Sequence, residues 1–167
     1  MRVLSRRAPL GEVPACLSVL SWNILAPVYV RPFDARTGGV QPFAAFAWAE
    51  PASERLEWSA RRPRISAVLR ESAADVICLQ EVQFESDGAG TYRAPDWLRD
   101  ALPDYDVRLP AQRDLADIAA RNGRVLSEAV PVGNLIMYRT DRLEPLEPAR
   151  ANAKLAHDAT TRVGLLV

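Results

Sequence analysis

Histidine occurs once in this 167-residue chain and cysteine twice, too few for the clustered spacings of a zinc site or for a disulfide framework. Cys16 and Cys78 each lie in or beside an apolar, strand-like run, where a thiol serves as a small hydrophobe. Net charge is also missing: 21 basic side chains balance 21 acidic ones. No overall field therefore draws the chain to nucleic acid or to an anionic membrane, and a polyanion must be met by a local site. No run approaches the roughly 18 apolar residues of a membrane span. Pro9, Gly11, Glu12 and Pro14 break up the basic N-terminal segment before it can form the apolar stretch of a signal peptide. A cytoplasmic, reducing setting with no membrane partner is the expectation. Gly-rich phosphate loops and the G-x-S-x-G nucleophile turn are absent as well.

What is present suits one domain with a substantial core, at 49% hydrophobic and 25% charged residues. Residues 17–25, LSVLSWNIL, alternate with the period of a strand: Leu20, Trp22 and Ile24 share one face, while Leu17, Val19, Ser21 and Asn23 share the other. Residues 26–52, rich in Pro, Gly and Ala, read as a long surface loop with one short helix. After Ser53, an N-cap candidate, the helical spacing of Leu56, Ile65, Val68 and Leu69 predicts a helix that Pro63 kinks or restarts. A strand apolar on both faces follows over 75–82, then a short helix over 95–102 and a strand over 105–109. Residues 111–129 read as a polar connection with some helical character, and 134–139 as another strand. Asp141 and Arg142 form a tight turn, and the closing RVGLLV is strand-like. The fold class is α/β (α+β), one sheet with flanking helices.

The strand ADVICLQEV carries an acid at its far end. A carboxylate costs several kcal/mol to bury unless it is paired or binds a metal, so Glu81 is expected at the strand's open end, facing a cation or a donor. Asn23 ends the other strong strand in the same way. If the two strands are neighbours with matched ends, amide and carboxylate converge on one point. Such oxygen chemistry suits a hard cation such as Mg²⁺, with Mn²⁺ as a substitute; the alternative is that Glu81 pairs with an Arg and Asn23 satisfies a turn. The cluster RRPR over 61–64 reads as a solvated helix start beside Glu54 and Glu57. Asn134, after Gly133, is explained by turn chemistry as well as by substrate contact. His157-Asp158 lacks further ligands. Trp22, Trp58 and Trp97 read as core anchors, with Trp48 in the long loop a separate case.

In this order, SWNILAPVY, LEWSARRPRI and ADVICLQEV resemble the opening motifs of the endonuclease/exonuclease/phosphatase superfamily, nearest its branch of deadenylases, nocturnin and angel proteins. The matching positions are Asn23 and Tyr29; Leu56, Trp58, Arg61 and Ile65; and Leu79, Gln80 and Glu81. VGNLIMYRTDRLEPL resembles the family's Gly-containing strand and following hairpin, and TRVGLLV its next core strand. The resemblance implies part of a deoxyribonuclease-I-like four-layer α/β sandwich, in a single domain over 1–167 with a flexible leader over 1–15. It further implies Mg²⁺ on Glu81, Asn23 beside it, a structural or site partner for Arg61 alone of the RRPR cluster, substrate contacts from Asn134 and Arg61, and hydrolysis of a nucleic acid or nucleotide-like phosphate ester. Only the family's first half is matched. The strand ending in a catalytic His, the Gly-Asp-x-Asn segment and the closing Ser-Asp-His have no counterpart, and His157 is not their equivalent. The chain alone is therefore expected to be an inactive part of a hydrolase that needs the missing C-terminal half, or else a non-catalytic binding or regulatory module built on the same scaffold.

Overall fold

The structure, a computed structural model, describes residues 4–6, 16–30, 33–34, 39–40, 55–126 and 128–145. Its centre is a four-stranded mixed sheet. In chain order the described elements begin with β1 (Leu4–Arg6), β2 (Val19–Asn23), α1 (Pro27–Val30), β3 (Phe33–Asp34), β4 (Gly39–Val40) and α2 (Trp58–Ser72). Next come β5 (Val76–Gln83), β6 (Glu85–Ser86), β7 (Tyr92–Arg93) and α3 (Asp96–Ala101). The remainder are β8 (Tyr105–Arg108), α4 (Gln112–Val125), β9 (Val132–Arg139) and β10 (Leu143–Pro145). The sheet runs β2-β5-β9-β8, with β2 parallel to β5 and the other pairs antiparallel.

Helices line one face of this sheet. Leu20, Trp22, Ile77, Leu79, Leu135 and Met137 alternate onto that face and pack with Ile65 and Leu69 of α2, Leu98 of α3 and Leu115 of α4. β5 is apolar on both sides because it is central. Its other side meets Ile136, Tyr138 and Leu143 through Val76, with Cys78 half-buried beside them. The parallel β2–β5 pair requires a crossover, which brings α2 over the core face; Ala73, left-handed at φ 44°, then ends the helix and turns the chain into β5.

Several expectations are refined. Helix α2 continues unbroken through Pro63 and does not restart there. Pro63 and Ser59 are both exposed, so the carbonyl that loses its helical partner there faces water. Ser53 lies outside the described residues, and Glu57, the residue before the helix, makes no side-chain cap. The segment expected as a loosely helical connection is a full helix, α4, which buries Leu115, Ile118, Ala119 and Asn122 along one stripe. Asn122 extends that stripe because its Nδ2 donates to the Val130 carbonyl at 2.6 Å. Within the N-terminal segment expected as a flexible leader, β1 pairs antiparallel with β10: the turn after β9 presents a further edge to which an extended segment can bond. Cys16 is exposed rather than a core residue, while Cys78 is half-buried, and burial pushes the Cys78 thiol up. Residues 146–167, with His157 and the strand expected at RVGLLV, lie outside the described residues, as does Trp48. Among the described residues no helix is long and apolar enough to cross a membrane.

Candidate metal centre

The parallel pairing places Asn23, the last residue of β2, opposite Gln80; β5 continues to Gln83, so Glu81 lies within the strand rather than at its open end. Were β5 regular, the next residue, Glu81, would point with Ile77 and Leu79 into the core. A β-bulge prevents this. Leu79 pairs with Leu135 and Val82 with Gly133, so Gln80 and Glu81 together oppose the single residue Asn134. The extra residue returns Val82 to the core face and swings Glu81 to the opposite face. There Asn23 Nδ2 donates to Glu81 Oε1 at 2.9 Å. Glu81 is only 6% exposed and holds φ at 58°, a left-handed conformation that costs about 1–3 kcal/mol for a residue other than glycine. A bulge strained at its one acidic residue is the pattern of a strand re-aimed at a site.

The amide of Asn23 is oriented by its other end, since Oδ1 accepts from the Leu25 backbone N–H at 2.9 Å. Asn23 therefore presents a donor to the carboxylate and is not itself placed as a cation ligand. The turn that follows is pinned at each peptide. Ile24 N–H donates to the Gln80 carbonyl at 3.0 Å, and the Ile24 and Leu25 carbonyls accept from Arg61 at 2.8 and 3.0 Å. Gln83 Oε1 accepts from the Val28 N–H at 3.2 Å, tying α1 back to β5. Beside the pair, Gln80 Nε2 donates to Ser21 Oγ at 3.3 Å and to the Cys78 carbonyl at 3.0 Å.

The four residues singled out in the sequence thus divide. Asn23 and Glu81 are in contact. Arg61 is half-buried and bonded to main-chain carbonyls, and burial lowers its guanidinium below the usual value; Arg62 and Arg64 are exposed, as a solvated helix start requires. Asn134 is half-buried across the bulge, outside the Asn23–Glu81 bond. The donor chemistry fits a hard cation in one respect: a single preoriented carboxylate suffices when waters and substrate supply the rest. Among the described residues no group of three or more His, Cys, Asp or Glu could hold a metal ion, so Glu81 would have to bind with few protein ligands.

Two further polar clusters were not foreseen. At the opposite end of the β2–β5 pair, Asp75 is 1% exposed and accepts from the Ser18 N–H at 2.8 Å, from Ser18 Oγ at 2.9 Å and from Arg142. Burial pushes its carboxyl up, but the Ser18 bonds and the charges of Arg142 and Arg139 together hold it below the usual carboxylate range. On the face shared with Asn134, buried Tyr138 donates its hydroxyl to Asp106, which pairs with Arg108 at 2.8 Å. Burial, then the bond to Asp106, pushes the Tyr138 hydroxyl up to about 12. Because a raised pKa favours the protonated folded form, its stabilisation is complete below the unfolded tyrosine value of about 10 and fades as pH rises toward 12. Ultraviolet titration of wild type against Tyr138→Phe is expected to show one late-titrating tyrosine that the variant lacks.

No family model matches the chain, and no curated protein matches it.

Proposed function

We propose that the chain forms the metal-holding part of a Mg²⁺-dependent phosphoesterase, a nuclease or phosphatase, in a deoxyribonuclease-I-like fold. The observation that carries this reading is the strained bulge that turns buried Glu81 out of the core and against Asn23, the residue that ends the parallel neighbour β2; open α/β sheets place their ligands near such carboxyl ends. It supports the reading together with the ordered motifs of the sequence. In this reading a second sheet packs on the face of Ser21, Cys78, Gln80 and Asn134, making the sandwich, and Asn134 lies near enough to the bulge to contribute to substrate binding.

Glu81 would hold the ion, and Asn23 Nδ2 fixes the carboxylate so that one oxygen is committed to the amide. The chemistry supplied at Glu81 by a divalent ion, when bound, would be polarisation of a phosphoryl oxygen and stabilisation of its developing charge. The base that aligns water and the histidine that donates to phosphate have no match in these 167 residues. They must come from elsewhere for turnover, and this chain alone is expected to bind metal weakly and hydrolyse nothing. A reading frame that continues past Val167 into Gly-Asp-x-Asn and Ser-Asp-His segments supports the enzyme; a stop codon there supports a non-catalytic module on the same scaffold.

The metal site can be tested on the chain itself. Mn²⁺ titrated into ¹⁵N-labelled protein is expected to broaden the amides of 23–25 and 80–82 first, with affinity of about millimolar, and Glu81→Gln is expected to abolish that pattern. Broadening centred elsewhere, or equal broadening in the variant, would overturn the assignment.

A further inference from the structure

We infer that Arg61 is a positioning residue of the metal site: its guanidinium holds the turn after β2 so that Asn23 can orient Glu81. The inference rests on the metal-site reading above and gives Arg61 a role other than substrate contact. All three sides of the guanidinium are used. Nε donates to the Leu56 carbonyl at 2.9 Å, one terminal nitrogen to Ile24 at 2.8 Å and the other to Leu25 at 3.0 Å. The group lies 5.3 Å from the centroid of the Trp58 ring, and Trp58 packs edge-on against Trp97 with centroids 5.3 Å apart. The fork is thus braced from behind by an aromatic pair that spans α2 and α3.

The target of the fork is informative. Leu25 has φ 54°, a left-handed conformation a leucine adopts only under constraint. That same peptide donates its N–H to Asn23 Oδ1. Holding the carbonyls of Ile24 and Leu25 therefore fixes the N–H that orients the amide, and the amide in turn fixes Glu81 Oε1. The chain of contacts runs from Arg61 through Leu25 and Asn23 to Glu81. Left-handed residues stand on both sides of the Asn23–Glu81 bond, Leu25 in the turn and Glu81 in the bulge. A lysine cannot replace the fork, because one ammonium does not span three carbonyls in a plane.

The experiment compares wild type, Arg61→Ala and Arg61→Lys by NMR, with the lysine variant keeping the charge and the apolar stem if alanine fails to fold. Without metal, the Asn23 side-chain amide resonance is expected to move toward that of a solvated asparagine in either folded variant. With Mn²⁺, affinity at 80–82 is expected to fall about 10-fold, as for groups that support a metal ligand, while the core resonances of Leu79, Leu135 and Met137 stay in place. A folded variant with an unmoved Asn23 amide and wild-type Mn²⁺ affinity would overturn the inference. Failure of the wild type to bind Mn²⁺ near Glu81 would instead remove the underlying reading, and the metal-free Asn23 resonance would still decide whether Arg61 orients the amide.

Discussion

Glu81→Ala is expected to lower Mg²⁺-dependent phosphoester hydrolysis by about 10²- to 10³-fold in a polypeptide that carries the whole site, the scale seen when one preorganised electrostatic group is lost. The melting temperature should move little. Asn23 is exposed, so its amide regains water when the carboxylate goes, and the alanine inherits the left-handed backbone without relieving it. Glu81→Gly supplies the contrast: it should inactivate as fully, yet exceed the alanine variant in stability by about 1 kcal/mol, because glycine adopts φ 58° without the Cβ clash. Steady-state rates and thermal melts on the two variants separate the roles. Activity retained in either would remove Glu81 from the metal site, and a glycine variant less stable than the alanine one would remove the strain argument.

The second large effect is on folding. Asp75→Ala strips the partner from Arg142 and from both Ser18 donors inside a region where the carboxylate is 1% exposed. Breaking a buried pair costs about 3–5 kcal/mol; Arg142 is 31% exposed and can rehydrate, so the lower end, about 3 kcal/mol, is expected, or a fall of roughly 10 °C in Tm. Asp75→Asn tests the charge. The folded carboxyl is held below its unfolded value of about 3.9, so its contribution is complete above about pH 4 and is lost as pH falls through the folded pKa. Denaturant melts of wild type should weaken over that acid range, and those of the asparagine variant should weaken less. Equal acid sensitivity in both would show that other carboxylates govern it.

The strands of the sheet were legible because their apolar residues repeat every second position: LSVLSWN, VICLQ and NLIMYR all announced themselves. The pairing of Asn23 with Glu81 was legible too, as two polar residues ending two apolar runs. What the pattern could not reveal was how the pair meets. Strict alternation sends Glu81 toward Ile77 and Leu79, and only the unpaired extra residue at 80–81 reverses it; an apolar Val82 gives no sign of the bulge, because β5 is apolar on both faces. Helix α4 is faint in the sequence because its stripe holds only two large apolar residues, Leu115 and Ile118, completed by Ala119 and Asn122. Arg61 was separated from its neighbours by the motif alone. Its targets are carbonyls of residues 24 and 25, and main-chain acceptors leave no trace in side-chain spacing. Asp75 is not legible because a lone acid before a strand has the pattern of a loop residue, and its partners Ser18 and Arg142 are distant in sequence.

The two polar contacts at opposite ends of β2 and β5 act together as a gauge of alignment. Sliding either strand by one residue would part Asn23 from Glu81 and Ser18 from Asp75 in the same step, and would turn Trp22 and Leu20 off the helices. Asp75, at the far end of the strand pair, thereby helps to select the strand setting in which Asn23 meets Glu81.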